Sequence, residues 1–433
     1  MEPTSEHVVQ GTRRDARTEI IAGITTFFTM SYIVIVNPSI LSTTGTGMPV
    51  SGVLTATVLV CISMTFLMGL YAKLPYGVAP GMGLNAFFAY TIVLQEQVPW
   101  PVALGIVFWA GVLFLLVSAT TLREWIAMAI PDSLQVATAA GIGLLLTFIG
   151  LQNAGFVAAN PVTLVSVGPL DHRALLTLVA LGIIIWMKGP LAFLTSIFAV
   201  TVIAWSGGLV SPPTEWLSAP DFSSVFLKLD VMGALRLALV PTIVTVMLTD
   251  LFDSLSTFIG VAKASNLVDA TGRPLNLRRG LIVDSLATAT AGLFGSSAGT
   301  AYVESIAGIR MGGRTGLTAI VAAICFVPCL FVAPLVAAIP PYATSGVLIM
   351  VGVTMFQTIR SVEFQRVEIG LPAFAAMILI PLTFSITQGI LWGFILHVVL
   401  FVLSGQSRKL TFGALALAGI STLLLLLENW NAP

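Results

Sequence analysis

From Glu19 to Ser404 the chain is a nearly unbroken succession of apolar runs, most of them roughly the 20 residues that cross a hydrocarbon core as a helix. Inside lipid the backbone has no water to bond to, so each run must satisfy its own amides, and a helix does this within one segment. The chain is therefore read as an all-α polytopic membrane protein. Composition agrees, with 57% hydrophobic and 9% charged residues and a mean hydropathy of +1.01. The spans fall at roughly 19–37, 51–71, 77–93, 100–120, 133–151, 173–187, 190–208, 236–262, 279–294, 299–310, 314–338, 341–358, 369–386 and 389–405. Residues 1–18 form a polar tail, and because further spans follow the first run, a cleaved secretory signal is not expected. A last apolar run, Leu410 to Leu427, is either a further span or a helix packed on the bundle.

Net charge is zero, but Lys and Arg are unevenly placed. With the N-terminus inside, the inner loops receive Arg13, Arg14, Arg17, Lys73, Arg123, Lys188, Lys263, Arg273, Arg278, Arg279, Arg310, Arg314, Arg360, Arg366, Arg408 and Lys409. Arg173, Lys228 and Arg236 alone fall outside. Positive charge is retained on the cytoplasmic side, so a multi-pass protein of the plasma (inner) membrane with a cytoplasmic N-terminus is expected.

The third and tenth spans are short and broken by glycine. VAPGMGLNAFFAYTIV, Val78 to Val93, occupies in the first half the place that GTAYVESIAGI, Gly299 to Ile309, occupies in the second. Paired discontinuous helices at matching positions point to the substrate site of a secondary transporter built from inverted repeats. Other landmarks recur on the same scheme: the long first span answers to the long eighth, and Ile130-Pro131 opens the fifth as Ile339-Pro340 opens the twelfth. The expected organisation is a tail (1–18), a first seven-helix repeat (19–208), an external linker (209–235), a second repeat (236–405) and a C-terminal apolar helix and tail (406–433).

A charge inside a membrane costs about 2.5 to 3.5 kcal/mol on insertion scales and so marks function by default. Four acids qualify. Asp250 and Asp253 stand three apart on the eighth helix and so share a face; Asp284 is in the ninth span and Glu304 in the tenth. No intramembrane Lys or Arg is an obvious partner for Asp250, Asp253 or Glu304, which suits them to carry protons. Asp284 reads more plainly as a cap on the neighbouring half-helix or a partner of a cytoplasmic cation. After GSSAG, and again after Ala79-Pro80-Gly81, helices start with free N–H groups that favour a carboxylate or polar ligand. Asn85 offers a donor and an acceptor there, and Phe87, Phe88 and Tyr302 offer aromatic faces, although Asn85 can equally join helices and the aromatics can simply pack. Together they describe a flat, hydrogen-bonding ligand held between two helix ends and the eighth helix. His397 is mid-span and reads as packing before proton relay. Cys61, Cys325 and Cys329 read as apolar thiols, and GRTG at Gly313 lacks the Lys-Ser/Thr of a phosphate loop. No cofactor, metal or nucleic-acid partner is indicated.

Several long motifs, TEIIAGITTFFTMSYIVIVNPSIL, APGMGLNAFFAY, TDLFDSLSTFIGVA, YVESIAGIRMGGRTGLTA and IPLTFSITQGI, run nearly end to end. In them the chain resembles the nucleobase–cation symporter group, and within it the AzgA-like adenine/guanine/hypoxanthine permeases. The resemblance implies a UraA-like fold: fourteen transmembrane segments in two inverted repeats of seven, half-helices 3 and 10, a core of helices 1–4 and 8–11, and a gate of helices 5–7 and 12–14. It implies proton-driven uptake of purine nucleobases and allows a homodimer through the gate. By position it makes Asn85, Phe87, Phe88, Asp250, Tyr302 and Glu304 the substrate-binding residues and Asp250, Asp253 and Glu304 the proton-coupling ones. Asp250 is the first choice to face the ligand, with Asp253 in support. The related uracil and xanthine branch places a Glu on the eighth helix, so Asp here favours purines. Thr387-Gln388 departs from the smaller or acidic pair expected there.

Three other classes fit the sequence less well. An intramembrane aspartyl protease needs its two aspartates on facing helices, not on one, and GMGLN ends in Asn85 where that class has Asp. A sulfate-type anion transporter would use the same helix ends, but Glu304 would repel its cargo. A channel would not require paired carboxylates.

Overall fold

The computed structural model describes residues 16–120, 131–265, 267–268 and 274–430. The tail before Ala16, with His7, Arg13 and Arg14, and the residues Arg123, Ile130 and Arg273 lie outside the described residues. In chain order the helices are α1 (Ala16–Leu41, turning at Ser31-Tyr32), α2 (Val50–Ala72), α3 (Met82–Gln95), α4 (Trp100–Ala119), α5 (Asp132–Asn153), α6 (His172–Met187), α7 (Ala192–Ser206), α8 (Val240–Ser265), α9 (Leu277–Phe294), α10 (Ser305–Arg310), α11 (Gly316–Phe331), α12 (Pro341–Phe356), α13 (Val367–Thr383), α14 (Ile386–Leu403) and α15 (Phe412–Trp430). Among the described residues, seven helical stretches are long and apolar enough to cross a membrane; they hold α1, α2, α4, α5, α8, α12 and α14. The run from Leu410 is α15, which packs on α14.

Within the helical bundle stand two short strand pairs. β1 (Val78–Pro80), β2 (Val157–Asn160), β3 (Leu164–Val167) and β4 (Gly299–Ala301) form two short antiparallel pairs: β2 with β3 as a hairpin between α5 and α6, and β1 with β4 across the whole chain. The third and tenth segments are thus strands that turn into half-helices.

The end of the bundle at which α1 starts is called the near end. Glu19 of α1 meets the start of α11 there, and the Arg314 guanidinium donates to the Ser265 carbonyl at the end of α8, so α1 and α8 run in opposite directions. By packing, the helices divide into two groups. In one, α9 lies on α4 and α2, α11 on α1 and α2, and α10 on α1 and α8; in the other, α5 lies on α12, α13 and α14, and α6 and α7 pack together against α12. Fewer contacts join the groups, chiefly α3 with α5 and α8 with α14. Pro131 and Pro340 cap the starts of α5 and α12, a position where the missing proline N–H costs nothing.

Two local devices fix the first group. Glu19, counted in the sequence only as the start of a span, is buried; its carboxylate accepts from the Arg314 and Thr315 amides and the Thr318 hydroxyl, so an anion from α1 caps α11. At the α2–α11 crossing, Gly69 and Gly316 let the backbones touch: a Cβ on Gly316 would run into the Gly69 carbonyl and Cα. We expect Gly316→Val to cost about 2 kcal/mol or more through overpacking that no side chain can relieve. Melting of the purified variant at the wild-type temperature would refute that contact.

The 209–235 segment crosses the far end and is pinned to α2. Ser51 and Ser224 hydroxyls donate to the Asp221 carboxylate, and the Asp221 amide donates to Thr55 at 3.0 Å. Partial burial works against the Asp221 charge, but the bonds from Ser224, Ser51 and Ser223 outweigh it and hold this carboxyl well below the usual carboxylate range.

Candidate functional site

The site begins with β1 and β4, whose register sets Val78 against Ala301, Ala79 against Thr300 and Pro80 against Gly299. Three residues a side would not hold alone, and neighbours supply the rest. Thr65 of α2 grips both polar groups of Val78, donating to its carbonyl at 2.9 Å and accepting from its amide at 2.8 Å. The Gly77 amide donates to the Ser305 hydroxyl, and the Tyr302 amide to the Gly77 carbonyl. On the other side, Asp284 of α9 accepts from the Ala301 amide at 2.7 Å and from the Ser254 hydroxyl. Asp284 is therefore an anchor for the strand leading into α10, close to the capping role expected of it.

From this crossbar α3 and α10 leave in opposite directions. Asn85, on the first turn of α3, is fully buried and accepts from the Ser297 hydroxyl just before β4. Its place is therefore inside the packed crossbar. Phe87 and Phe88 are also fully buried, and the cleft described below does not include them. The first amides of α10 are not open as expected from GSSAG: those of Ser305, Ile306 and Ala307 turn back onto the carbonyls of Tyr302, Val303 and Glu304. The strand delays the helix by several residues, and Asp284 and the Gly77 carbonyl take up the Ala301 and Tyr302 amides ahead of it.

Between the two helix groups lies a cleft of about 350 Å³, within the range of small-molecule sites. α1 contributes Tyr32, the α3 start Gly81 to Gly83, α8 Asp253, Ser256, Thr257 and Gly260, the crossbar Thr300 to Glu304, α12 Val351, Thr354 and Met355, and the turn after it Thr358. Ser256, Gly260 and Thr358 lie toward the near end, so the cleft opens there. A smaller hollow behind it shares Asp253 and Ser256 and adds Thr138, Thr249 and Gln135. No Lys or Arg is in either lining among the described residues.

Of the residues expected to bind substrate, Tyr302 and Glu304 line this cleft, whereas Asn85, Phe87, Phe88 and Asp250 lie outside its lining. The Tyr302 hydroxyl donates to the Pro80 carbonyl, which directs the ring across the crossbar. Glu304 receives a 2.6 Å hydrogen bond from the Tyr32 hydroxyl. Tyr32 was missed in the sequence because the turn at Ser31-Tyr32 that aims it is hidden in a long apolar run. The two α8 acids separate, although three residues apart. Asp250 is fully buried toward α9, where the Thr288 hydroxyl lies 2.5 Å from one carboxylate oxygen and 3.0 Å from the Gly299 carbonyl; its other oxygen has no partner. Asp253 turns to the cleft, and none of the described hydrogen bonds uses it. Three residues advance a helix by about 300°, or about 60° short of a full turn, enough to put neighbours in different surroundings. His397 is buried in α14 away from the cleft, beside Phe401. Cys61 is buried and Cys325 and Cys329 are partly so, all three as free thiols.

Two half-helices diverging from a short strand pair, within a bundle of membrane-crossing helices and beside an acid-lined cleft, define a membrane transporter. The chain belongs to the permease family Xan_ur_permease, matched over residues 17–392, and is a permease and not an enzyme. It is 41% identical to the adenine permease AdeP of Escherichia coli (strain K12) over 406 residues, 92% of this chain and 89% of that one. It is 38% identical to the guanine/hypoxanthine permease PbuO of Bacillus subtilis (strain 168), over 90% of this chain and 93% of the relative. In fold it is similar to the transmembrane domain of a cyanobacterium bicarbonate transporter, BicA, with a TM-score of 0.66 at 18% identity, covering 88% of this chain and 98% of the other.

Proposed function

We propose that the protein imports purine nucleobases by proton symport across the inner membrane, with the near end in the cytoplasm. The observation that carries this reading is the pairing of Glu304 and Asp253 on the walls of one cleft, with no Lys or Arg among the described lining residues. A purine presents ring N–H donors to such carboxylates and a flat face to Tyr302. The permeases of adenine and of guanine/hypoxanthine among the relatives support the substrate class. The orientation rests on the described Lys and Arg, of which Arg173, Lys228 and Arg236 sit at the far end.

In this reading Glu304, oriented by Tyr32, accepts from the purine, and Asp253 carries the coupling proton in place of Asp250. Asp250 supports the crossbar through Thr288. Moving an ionised, unpaired carboxylate past apolar helices costs about 2.5 to 3.5 kcal/mol, a factor of roughly a hundred in rate; protonation and a bound purine remove that penalty. The α1–α4/α8–α11 group then moves against the α5–α7/α12–α14 group, the two halves 19–208 and 236–405 being inverted repeats joined by the 209–235 linker. A homodimer through the second group belongs to the same proposal. An anion cargo, which the fold permits, is disfavoured by the two acids.

The test is uptake of radiolabelled adenine, guanine, hypoxanthine and uracil by cells lacking their own nucleobase carriers, with and without a protonophore. Purine uptake that collapses with the proton gradient is expected. Uptake indifferent to the gradient would reject proton coupling, and uptake of uracil alone would reject the purine assignment.

A further inference from the structure

β1 and β4 pair along one edge, and each has a second edge whose backbone groups need partners. On β1 that edge is Val78, held by Thr65 of α2. On β4 it is the Gly299 carbonyl and the Ala301 amide, set opposite Pro80 and Val78 in the register, where Pro80 has no N–H to give and Val78 is already taken. α9 closes this edge. Asp284 accepts from the Ala301 amide at 2.7 Å, and the Thr288 hydroxyl lies 3.0 Å from the Gly299 carbonyl. Four residues of helix rise about 6 Å and two of strand about 6.6 Å, so one turn of α9 matches the two edge groups of β4 as a third strand would. The fit is close, since a Cβ on Gly299 would stand 3.0 Å from the Ala287 Cβ.

The Thr288 hydroxyl has one hydrogen but two buried oxygens in reach, the Gly299 carbonyl and an Asp250 carboxyl oxygen at 2.5 Å. Given to an ionised Asp250, that hydrogen leaves the Gly299 carbonyl without a described donor. Given to Gly299, it leaves Thr288 and an ionised Asp250 oxygen 2.5 Å apart with no hydrogen between them. A proton on Asp250 satisfies all three groups: Asp250 donates to Thr288, and Thr288 donates to Gly299. The other Asp250 oxygen is buried without a partner, which a neutral carboxyl bears at less cost than a carboxylate. Asp284 differs in that both of its oxygens are bonded, one by the Ala301 amide and the other by the Ser254 hydroxyl. Among the described residues no ion pair includes Asp250 or Asp284. The charged groups that act on Asp250 are themselves acids, Asp284 of α9 and Asp253 of its own helix, and α4, which also packs on α8, has no ionisable side chain.

We propose that Asp250 is a neutral acid that keeps its proton throughout the transport cycle and, by donating through Thr288 to Gly299, holds β4 in place. It is then a positioning residue for the crossbar, and its proton is not one that crosses the membrane. The uptake test below rests on the nucleobase reading; the spectroscopic test does not.

The spectroscopic test is infrared absorption of the purified wild type and Asp250→Asn. Their difference should contain a carboxylic-acid C=O band present in wild type alone, shifted in D2O and equal in area at mildly acidic and mildly alkaline pH. No such band, or one that fades as the pH rises, would overturn the proposal. The uptake test follows proton-driven accumulation of hypoxanthine. Asp250→Leu, which offers Thr288 no hydrogen, should lower it about fivefold or more, and Asp250→Asn, whose amide N–H takes the place of the acid O–H, should restore it to within about threefold of wild type with its sensitivity to a protonophore intact. A mobile coupling proton on Asp250 predicts the reverse, because an amide cannot release it. Asp250→Asn that does not fold, or that binds hypoxanthine without accumulating it, would therefore overturn the proposal, as would full activity in Asp250→Leu. If wild type accumulates no purine, the nucleobase reading fails and the infrared band alone decides the state of Asp250.

Discussion

Glu304→Gln abolishes net purine uptake at unchanged membrane abundance. The substitution keeps the volume and a hydrogen-bonding head, and the Tyr32 hydroxyl can still donate to the amide oxygen, so the local fold at the start of α10 is retained. What disappears is an ionisable acceptor on the cleft wall. Hydrogen bonds to a charged group contribute about 1.5 to 3 kcal/mol, so purine affinity should fall roughly 10- to 150-fold. Tyr32→Phe leaves the carboxylate but frees it to rotate, and a loss of severalfold is expected, in line with one neutral donor worth about 0.5 to 1.5 kcal/mol. Binding of radiolabelled adenine and hypoxanthine to the purified proteins reads both effects. Wild-type affinity in Glu304→Gln would remove Glu304 from the site and leave Asp253 as the only acid to consider.

Asp284→Ala should do its damage one step earlier, by releasing β4. Its carboxylate is the sole described acceptor of the Ala301 amide and is also bonded by the Ser254 hydroxyl, both in fully buried surroundings. Removing it orphans the buried Ala301 amide, at about 1 to 3 kcal/mol, and leaves the Ser254 hydroxyl only the Thr300 hydroxyl at 3.4 Å, so a loss of about 2 kcal/mol of stability is expected, with purine binding lost in whatever protein still folds. Asp284→Asn retains one oxygen and should fall between the two. Thermal melting of the purified variants measures this; equal melting temperatures for wild type and Asp284→Ala would mean that the crossbar does not depend on α9.

The bundle was largely legible because lipid-crossing helices announce themselves one at a time: each run long and apolar enough is a helix whatever its neighbours do. The breaks at Ala79-Pro80-Gly81 and before Tyr302 were legible for the same local reason, since glycine and proline interrupt the pattern. The strands were not. VAP and GTA carry no period, and each exists as a strand only because the other, more than two hundred residues away, lies beside it. The two α8 acids show the same limit in the site. Their spacing placed them close together, but which one meets the cleft is decided by Thr288 of α9, which draws Asp250 away. Tyr32, Ser254 and Ser297 are hydroxyls in apolar runs, indistinguishable in sequence from the many that simply bond back to their own helix, as Ser63 does to Leu59.

The β1–β4 pair also sets where this chain can change its length. One residue gained or lost between Gly77 and Met82 would slip the pair and exchange the faces of every residue in it, turning Asn85 away from Ser297 and the crossbar away from Glu304. Neither strand has a loop in which to absorb the error. The β2–β3 hairpin and much of the 209–235 segment border no part of the near-end cleft. Insertions and deletions accepted over evolutionary time should therefore gather at the far-end loops, while the spacing from Gly77 to Asn85 and from Ser297 to Glu304 stays constant to the residue.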